Sequence, residues 1–219
     1  MYDHNEFADE YNMFMRELRK LKIPHSTGGI TGFPGMFIYT VARKLKARKI
    51  VEVGTRNGIS AATFAHAMNK TAGKGVLISI DVVDVERGKA RPGVDGQKFE
   101  LVPSQLIRAV GDSAIDSHFV VGKGEDVLKQ VPAKSVDIVL LDGSHKEDDV
   151  YRELPLAKAA LRSGGVILLD DVYPHGAGLR CHKKVIPGPW LALQRAVEDG
   201  IIDGYVRPNP DFSIAYIQV

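Results

Sequence analysis

Three aspartates directly follow two short apolar runs in the second half of the chain. Asp142 follows VDIVLL, and Asp170 and Asp171 follow GGVILL. Such runs are typical of strands buried in a parallel sheet, where the ends of neighbouring strands lie about 5 Å apart. Carboxylates that converge there repel one another unless a cation lies between them. We therefore predict that the three aspartates bind Mg²⁺ or another divalent cation, which prefers oxygen ligands.

A histidine and a lysine stand beside this cluster, and the cluster itself has an alternative without a metal. Asp170 and Asp171 could accept hydrogen bonds from backbone N–H groups of their own turns. His145 follows Asp142 closely and is a candidate general base, because a histidine pKa of about 6.5 suits proton transfer near neutrality. Metal ligation and a structural role are the alternatives for His145. Lys146 is the second candidate base, although a lysine must be desolvated to act at neutral pH.

A glycine turn earlier in the chain predicts a ligand site at the same edge of the sheet. The segment IVEVGTRNGIS has the pattern of a strand, a tight turn and a helix, with Glu52, Gly54 and Gly58 in it. Gly54 permits a sharp exit from the strand, and Gly58 lets the helix begin close to the sheet. The dinucleotide fingerprint Gly-x-Gly-x-x-Gly is broken, because Arg56 stands where the second glycine belongs. A strand-to-helix turn without a ligand is the alternative.

An acidic residue ends the second apolar run, VLISI. Asp81 stands there, and a carboxylate at such a strand end can accept hydrogen bonds from both hydroxyls of a ribose. Asp84 is the second candidate for this role, and a solvated acid is the alternative. The next run, HFVV, is followed by Gly124 and Glu125, and then by an aspartate that could cap a helix.

The wider pattern predicts the elements that position these residues. Apolar, β-branched runs alternate with helical segments, which indicates an α/β fold with a doubly wound, mostly parallel sheet between two helical layers. The last two runs, in GYVRP and FSIAYIQV, are joined by a loop too short for a parallel crossover. We therefore expect an antiparallel hairpin at the C-terminus. Loops 24–35, 85–110 and 173–189 are expected to line the ligand crevice.

We also expect two helices in residues 1–46, ahead of a single globular unit that spans 47–219. The first helix carries an apolar stripe at steps of four and three residues, formed by Phe7, Tyr11, Phe14, Leu18 and Leu21. This stripe could pack on the rest of the chain or form the seam of a homodimer.

Composition excludes several classes of protein. The chain has 219 residues, of which 44% are hydrophobic and 26% charged, as in an ordinary globular domain. No apolar run approaches the roughly 20 residues of a membrane-spanning helix. The polar start of the chain and its single cysteine, Cys181, favour a cytoplasmic protein without disulfides. A net charge of +2 gives no basic excess for binding nucleic acid.

From Ile50 to about Pro174, the chain resembles the metal-dependent O-methyltransferases of the catechol and caffeoyl type. It also resembles their relatives that act on sugars and antibiotics. The motifs that carry this resemblance are Glu52-Val-Gly54-Thr-Arg-Asn-Gly58, Asp81, Gly122-Lys-Gly-Glu125-Asp126, Leu141-Asp142-Gly-Ser-His145 and Leu169-Asp170-Asp171. The resemblance implies a class I methyltransferase with a Rossmann-like fold, which uses S-adenosylmethionine (SAM).

The resemblance also implies roles for individual residues. The implied cofactor contacts are Glu52, Gly54, Gly58, Ser60, Asp81, Gly124, Glu125 and Asp142, with Gly124 and Glu125 next to the adenine. The implied metal ligands are Asp142, Asp170 and Asp171, and the implied acceptor is a hydroxyl of a small molecule or sugar. Residues 1–46 would cover the methionine end of SAM, where Phe33 and Met36 could line the site or belong to the core.

The chain departs from the catechol-type enzymes at two positions. Asp171 stands where those enzymes have asparagine, and at this position the sugar-modifying relatives resemble the chain more closely. His145 stands where the catechol-type enzymes have lysine. A methyltransferase that needs no metal and a SAM-binding module without catalysis remain alternatives. Two histidines, His175 and His182, lie in a loop that is expected to flank the acceptor.

Overall fold

The computed structural model describes residues 6–21, 30–87, 101–112, 114–174, 187–209, 211 and 213–219, and the backbone of 91–92 and 98–99. The strands are β1 Lys49–Val53, β2 Gly75–Asp81, β3 Arg91–Pro92, β4 Lys98–Phe99, β5 Ile115–Val121, β6 Val136–Leu141, β7 Leu161–Leu169 and β8 Ala215–Gln218. The helices are α1 Ala8–Lys20, α2 Gly32–Lys44, α3 Ile59–Ala72, α4 Pro103–Ala109, α5 Gly124–Leu128, α6 Glu147–Ala160 and α7 Gly188–Glu198. Within the described part of the chain, no helix has the length and hydrophobicity needed to cross a bilayer.

Six of the strands form one sheet in the order β5-β2-β1-β6-β7-β8. The first five strands of this order are parallel, and β8 is antiparallel to β7. The predicted mostly parallel sheet with an antiparallel C-terminal pairing is therefore confirmed. The first strand of the predicted hairpin is reduced to one bridge, in which the N–H groups of Val206 and Tyr216 each donate to the other's carbonyl oxygen at 2.8 Å. Pro208 follows closely and has no N–H to extend the pairing.

Two apolar clusters cover the two faces of this sheet, as expected for three α/β/α layers. Because side chains alternate along a strand, Ile138 and Leu140 of β6 join the cluster with helices α1 to α4. Val139 and Leu141 join the opposite cluster, with α6 and α7. Every residue of β6 is buried, which explains why its sequence is a continuous apolar run.

The apolar stripe of α1 is buried inside a single chain. Tyr11, Phe14 and Leu18 are at most 3% exposed and lie in the same core cluster as α2 and α3. The stripe therefore packs on the rest of the chain, which is the first of the two expectations given above. A homodimer through this helix stays a prediction.

Candidate active site at the carboxyl edge of the sheet

The loops that follow β1 and β6 touch each other at the carboxyl edge of the sheet. The Asp142 N–H donates to the Val53 carbonyl oxygen at 2.8 Å. Gly54 has a φ of +100°, and a Cβ atom there would overlap with the Asp142 carbonyl oxygen. Only glycine fits this conformation and this close approach. The glycine turn and the first aspartate of the cluster are therefore in direct contact.

Glu52 lies beneath the glycine turn and is closed off from solvent. Its carboxyl group accepts a hydrogen bond from the Ser79 hydroxyl on β2. Burial raises the pKa of Glu52 to about 7, while hydrogen bonds from the Ser60 and Ser79 hydroxyls oppose the shift. Glu52 thus joins β1 to β2 and to the start of α3. This position supports the turn from below, whereas the prediction that Glu52 contacts a cofactor stays a prediction.

The second glycine of the turn is fixed by packing. Gly58 has a φ of +76° and precedes α3, and a Cβ atom there would lie 2.7 Å from Pro103 Cβ at the start of α4. Glycine therefore allows α3 to begin close to the sheet and α4 to pack over its first turn.

Asp81 is held between the loops that follow β1 and β2. The backbone N–H of Arg56 donates to its Oδ2 at 2.8 Å, and the N–H of Val83 donates to its Oδ1 at 3.0 Å. These bonds orient the carboxylate at the edge of the sheet, and a carboxylate oxygen can accept more than one hydrogen bond. Asp84, the second candidate, instead forms an ion pair with Arg87 at 2.9 Å.

Three exposed valines lie near Asp81 and belong to none of the sequence motifs. Val82 and Val83 follow Asp81 directly, and Val121 lies opposite Asp81 in the β2–β5 register. Their exposed fractions are 69%, 55% and 58%. Their place at the end of β5 and just past the end of β2 was the available signal, because apolar residues there have no core to enter.

Gly124 and Glu125 begin the short helix α5. A Cβ atom on Gly124 would overlap with Glu153 Oε1 and would lie 2.6 Å from Val53 Cγ1, so this glycine also serves packing. Glu125 receives hydrogen bonds from Lys129 at 2.7 Å and Arg152 at 2.9 Å. These bonds lower the Glu125 pKa. The aspartate that follows, Asp126, lies within the first turn of α5, and the N-cap is Lys123 instead.

The three side chains that lie close enough to share a metal ion are not the three predicted aspartates. Ligand atoms of Asp142, His145 and Asp171 all lie within 4.8 Å of one another, and His145 Nε2 is 2.6 Å from Asp171 Oδ2. Asp170 is outside this group of atoms in the described part of the chain. Its Oδ1 accepts a hydrogen bond from the hydroxyl of Ser213, which precedes β8 and has no motif that would mark it in the sequence.

Burial and neighbouring carboxyl groups both act on the pKa values in this cluster. Burial raises the pKa of Asp142 well above its ordinary value, and the neighbouring Asp170 and Asp171 raise it further. Burial and then Asp171 raise the pKa of Asp170 to about 6. The hydrogen bond to Asp171 raises the pKa of His145. Closely spaced carboxyl groups with these shifts favour a proton or a cation in their midst.

Two helices hold the segment that carries His145. A Cβ atom on Gly188, the first residue of α7, would overlap with the His145 carbonyl oxygen. The Ser144 hydroxyl donates to Asp149 Oδ2 of α6 at 2.7 Å. Lys146 is the N-cap of α6, and its side chain is exposed. Of the predicted acceptor loop 173–189, the last two residues begin α7, and His175, Cys181 and His182 lie outside the described residues.

Comparison with known proteins agrees with this architecture. Residues 51–172, more than half of the chain, match the family model described as "Methyltransferase domain". A relative from Mycobacterium sp. (strain KMS), named "Putative O-methyltransferase", is 24% identical over 166 residues, which cover 76% of this chain and 67% of that protein.

Two solved structures are similar over nearly their whole length. The O-methyltransferase TomG from Streptomyces achromogenes, in complex with SAM, gives a TM-score of 0.60 at 19% identity, covering 95% of this chain and 89% of that one. CalS11, a TDP-rhamnose 3'-O-methyltransferase, gives 0.60 at 15% identity, covering 100% and 96%. This chain therefore belongs to the methyltransferase domain family, and it is a SAM-dependent methyltransferase.

Proposed function

We propose that this enzyme transfers the methyl group of SAM to a hydroxyl group of a small molecule or sugar, with the help of a bound divalent cation. The contact between the turn at Gly54 and Asp142 carries this proposal, because a SAM molecule bound at that turn would lie beside the acidic cluster. The names of the relatives, which are O-methyltransferases, support a hydroxyl acceptor.

The residues at the glycine turn fit a SAM molecule. We propose that Asp81, fixed by two backbone N–H groups, accepts hydrogen bonds from the ribose hydroxyls. Gly54, Gly58 and Ser60 would frame the methionine end, with Glu52 supporting the turn. Gly124 and Glu125 would lie beside the adenine, for which the exposed valines offer an apolar neighbour.

The acidic cluster fits a divalent cation. Asp142, Asp170 and Asp171 bring three carboxyl groups together, and burial and mutual repulsion raise the pKa values of Asp142 and Asp170. When bound, a divalent cation acts as a Lewis acid that lowers the pKa of a coordinated hydroxyl group. Mg²⁺ is the first candidate because carboxylate oxygens suit it.

The protein's own residues would bind, align and deprotonate the acceptor. In the reaction, the acceptor oxygen attacks the methyl carbon, the C–S bond breaks, S-adenosylhomocysteine leaves, and the hydroxyl proton passes to a base. His145 and Lys146 are the two candidates for that base, because both lie on the segment that follows Asp142. Alignment of oxygen, methyl carbon and sulfur supplies much of the rate. No covalent enzyme intermediate is needed, because the sulfonium methyl donor is already activated.

We also propose that residues 1–46 form a cover for the methionine end of SAM over the unit 47–219. Phe33 and Met36, at the start of α2, are only partly buried and pack against the core cluster. Both side chains could therefore belong to the core and also line the methionine end of the SAM site.

Asp171→Ala, compared with the wild type, tests the proposed function. Titration calorimetry would measure SAM binding, and mass spectrometry would detect methylated products from catechols, caffeoyl esters and sugar nucleotides, with Mg²⁺ or with EDTA. We expect the wild type to lose turnover in EDTA, and Asp171→Ala to bind SAM normally but to lose metal-dependent turnover. Asp116→Asn, an exposed acid on β5, is the matched control. Turnover that ignores EDTA would favour a metal-free methyltransferase, and SAM binding without turnover on any acceptor would favour a binding module.

A further inference from the structure

We infer that Glu153 of α6 is a positioning residue for the SAM site, and that its carboxyl group must be neutral to keep the start of α5 in place. The start of α5 carries Gly124 and Glu125, for which a place beside the adenine is proposed above. This inference rests on that part of the proposed function, but it concerns neither the cation nor the acceptor. It predicts that SAM binds more weakly once Glu153 ionises.

The carboxyl group of Glu153 lies where the start of α5 meets the end of β1. A Cβ atom on Gly124 would overlap with Glu153 Oε1 and would lie 2.6 Å from Val53 Cγ1. Glycine at this position therefore lets the carboxyl group pack directly against the backbone of α5. Val53 ends β1 and is followed by Gly54. The side chain of Glu153 is thus close to both segments that are proposed to hold SAM, the glycine turn and the start of α5.

Glu153 has little room for a negative charge. Its side chain belongs to a residue that is only 5% exposed, and its Oε2 has no hydrogen-bond partner within the described part of the chain. A carboxylate that is buried without donors loses the water that stabilises its charge. The protonated acid, which is neutral, loses much less.

The charged groups around Glu153 favour the neutral form as well. Burial, and then the carboxylates of Asp149 and Glu125, raise the pKa of Glu153 to about 7, while Arg152 opposes the shift. The guanidinium of Arg152 is already bonded to Glu125 at 2.9 Å and to Asp149 at 2.5 Å. Lys129 is bonded to Glu125 as well, at 2.7 Å. These two cations therefore serve the neighbouring carboxylates, and β1 presents an apolar side chain to this place.

The start of α5 is the element that gives way most easily when Glu153 ionises. β1 is a central strand that is paired on both sides, and α6 has 14 residues and packs on β6, β7 and α7. In contrast, α5 has five residues, and its buried side chain, Leu128, is at the far end from Gly124. We therefore expect an ionised Glu153 to reach water by displacing Gly124 and Glu125, which removes the contacts proposed for the adenine.

Calorimetric titration of the full-length protein with SAM at pH 6, 7 and 8 tests this inference. The wild type would be compared with Glu153→Gln and Glu153→Leu, which both stay neutral at every pH. With a Glu153 pKa of about 7, about a tenth of the wild-type protein keeps this proton at pH 8. Between pH 6 and pH 8, the Kd of the wild type should therefore rise about tenfold relative to that of Glu153→Gln. The ratio removes titrations that the proteins share, including those of SAM itself and of Glu52.

The second neutral variant and a control separate charge from shape. Glu153→Leu could bind SAM more weakly at every pH, but its Kd relative to that of Glu153→Gln should not change with pH. Glu198→Gln, at an exposed site at the end of α7, should keep the pH dependence of the wild type. Hydrogen exchange of residues 122–128, corrected for the intrinsic effect of pH, should be faster in the wild type than in Glu153→Gln at pH 8 and equal at pH 6.

Two results would overturn the inference. The first is the same change of Kd with pH in the wild type and in both neutral variants, which would leave the proposed methyl transfer intact. The second is faster exchange at residues 122–128 with no change in the ratio of Kd values, because the start of α5 would then respond to Glu153 without touching SAM. The cation takes no part in this titration, so the inference holds even if turnover ignores EDTA.

Discussion

Replacing Glu153 by glutamine should stabilise the protein above neutral pH and have much less effect at pH 5. Glu153 lies on α6 and is only 5% exposed. Its Oε2 has no hydrogen-bond partner within the described part of the chain, and Gly124 packs against its Oε1. Burial raises the pKa of Glu153 from an ordinary value of 4.5 to about 7, and the carboxylates of Asp149 and Glu125 add to the shift.

The sign and size of the effect follow from this pKa. The folded state holds the proton of Glu153 more tightly than the unfolded state does. The protonated side chain therefore makes its full contribution to the free energy of unfolding below pH 4.5. It is lost as the pH rises to about 7. Each unit of pKa difference between the folded and the unfolded state corresponds to about 1.4 kcal/mol. Full ionisation of Glu153 therefore lowers the free energy of unfolding by about 3 kcal/mol. Glutamine resembles the protonated acid in shape and hydrogen bonding but cannot ionise, so it avoids this loss.

Urea denaturation of the wild type and of Glu153→Gln at pH 5, 6, 7 and 8 would measure the effect. The stability difference between the two proteins should grow by about 2 to 3 kcal/mol across this range in favour of the variant. Other titrating groups, including Glu52, are shared by both proteins and cancel in the difference. Glu198→Gln, at an exposed site at the end of α7, is the control for the loss of a surface carboxylate. A constant difference for Glu153→Gln would refute the reasoning.

Two further substitutions test the packing that positions the site. Gly54→Ala should cost about 1 to 3 kcal/mol of unfolding free energy and reduce SAM affinity, because its Cβ would overlap with the Asp142 carbonyl oxygen. Calorimetry and urea denaturation would measure both effects. Gly73→Ala, which also has a positive φ but open space around it, should leave SAM binding unchanged. Asp137→Ala removes the acceptor for two backbone N–H groups at the start of β1 and should cost about 2 to 4 kcal/mol. Asp137 lies near the start of β6, at the amino edge of the sheet and therefore away from the turn at Gly54. SAM affinity, measured well below the unfolding temperature, should not change.

The strands and the placement of strand-end acids could be predicted from the sequence. The bounds of β6 match the apolar run VDIVLL residue for residue, and β1 ends at Val53, where the predicted glycine turn begins, because strands buried on both faces carry their signal locally. Once those runs form neighbouring parallel strands, the residues that follow them must lie at one edge. For this reason Asp81, Asp142, Asp170 and Asp171 could be placed together without knowledge of any contact.

Partners that are distant in the chain could not be predicted in the same way. Ser213 and Asp170 are brought together only by the antiparallel pairing of β8 with β7, and a serine near the C-terminus carries no signal of that contact. Glu153 lies in a highly charged stretch, EDDVYRE, which indicates a solvated helix, and yet the packing of α5 on α6 buries it. In both cases tertiary packing decides which polar group loses its water.

The contact between Gly54 and Asp142 gives a physical reason for the position of the chemistry. Parallel strands β1 and β6 are direct neighbours, so their loops leave the sheet side by side, and the absence of a side chain at Gly54 lets them meet. If SAM lies on the turn at Gly54 as proposed, its sulfonium is adjacent to carboxylates that attract a cation. Replacing the glycine would then affect donor and acceptor together, since one backbone contact positions both.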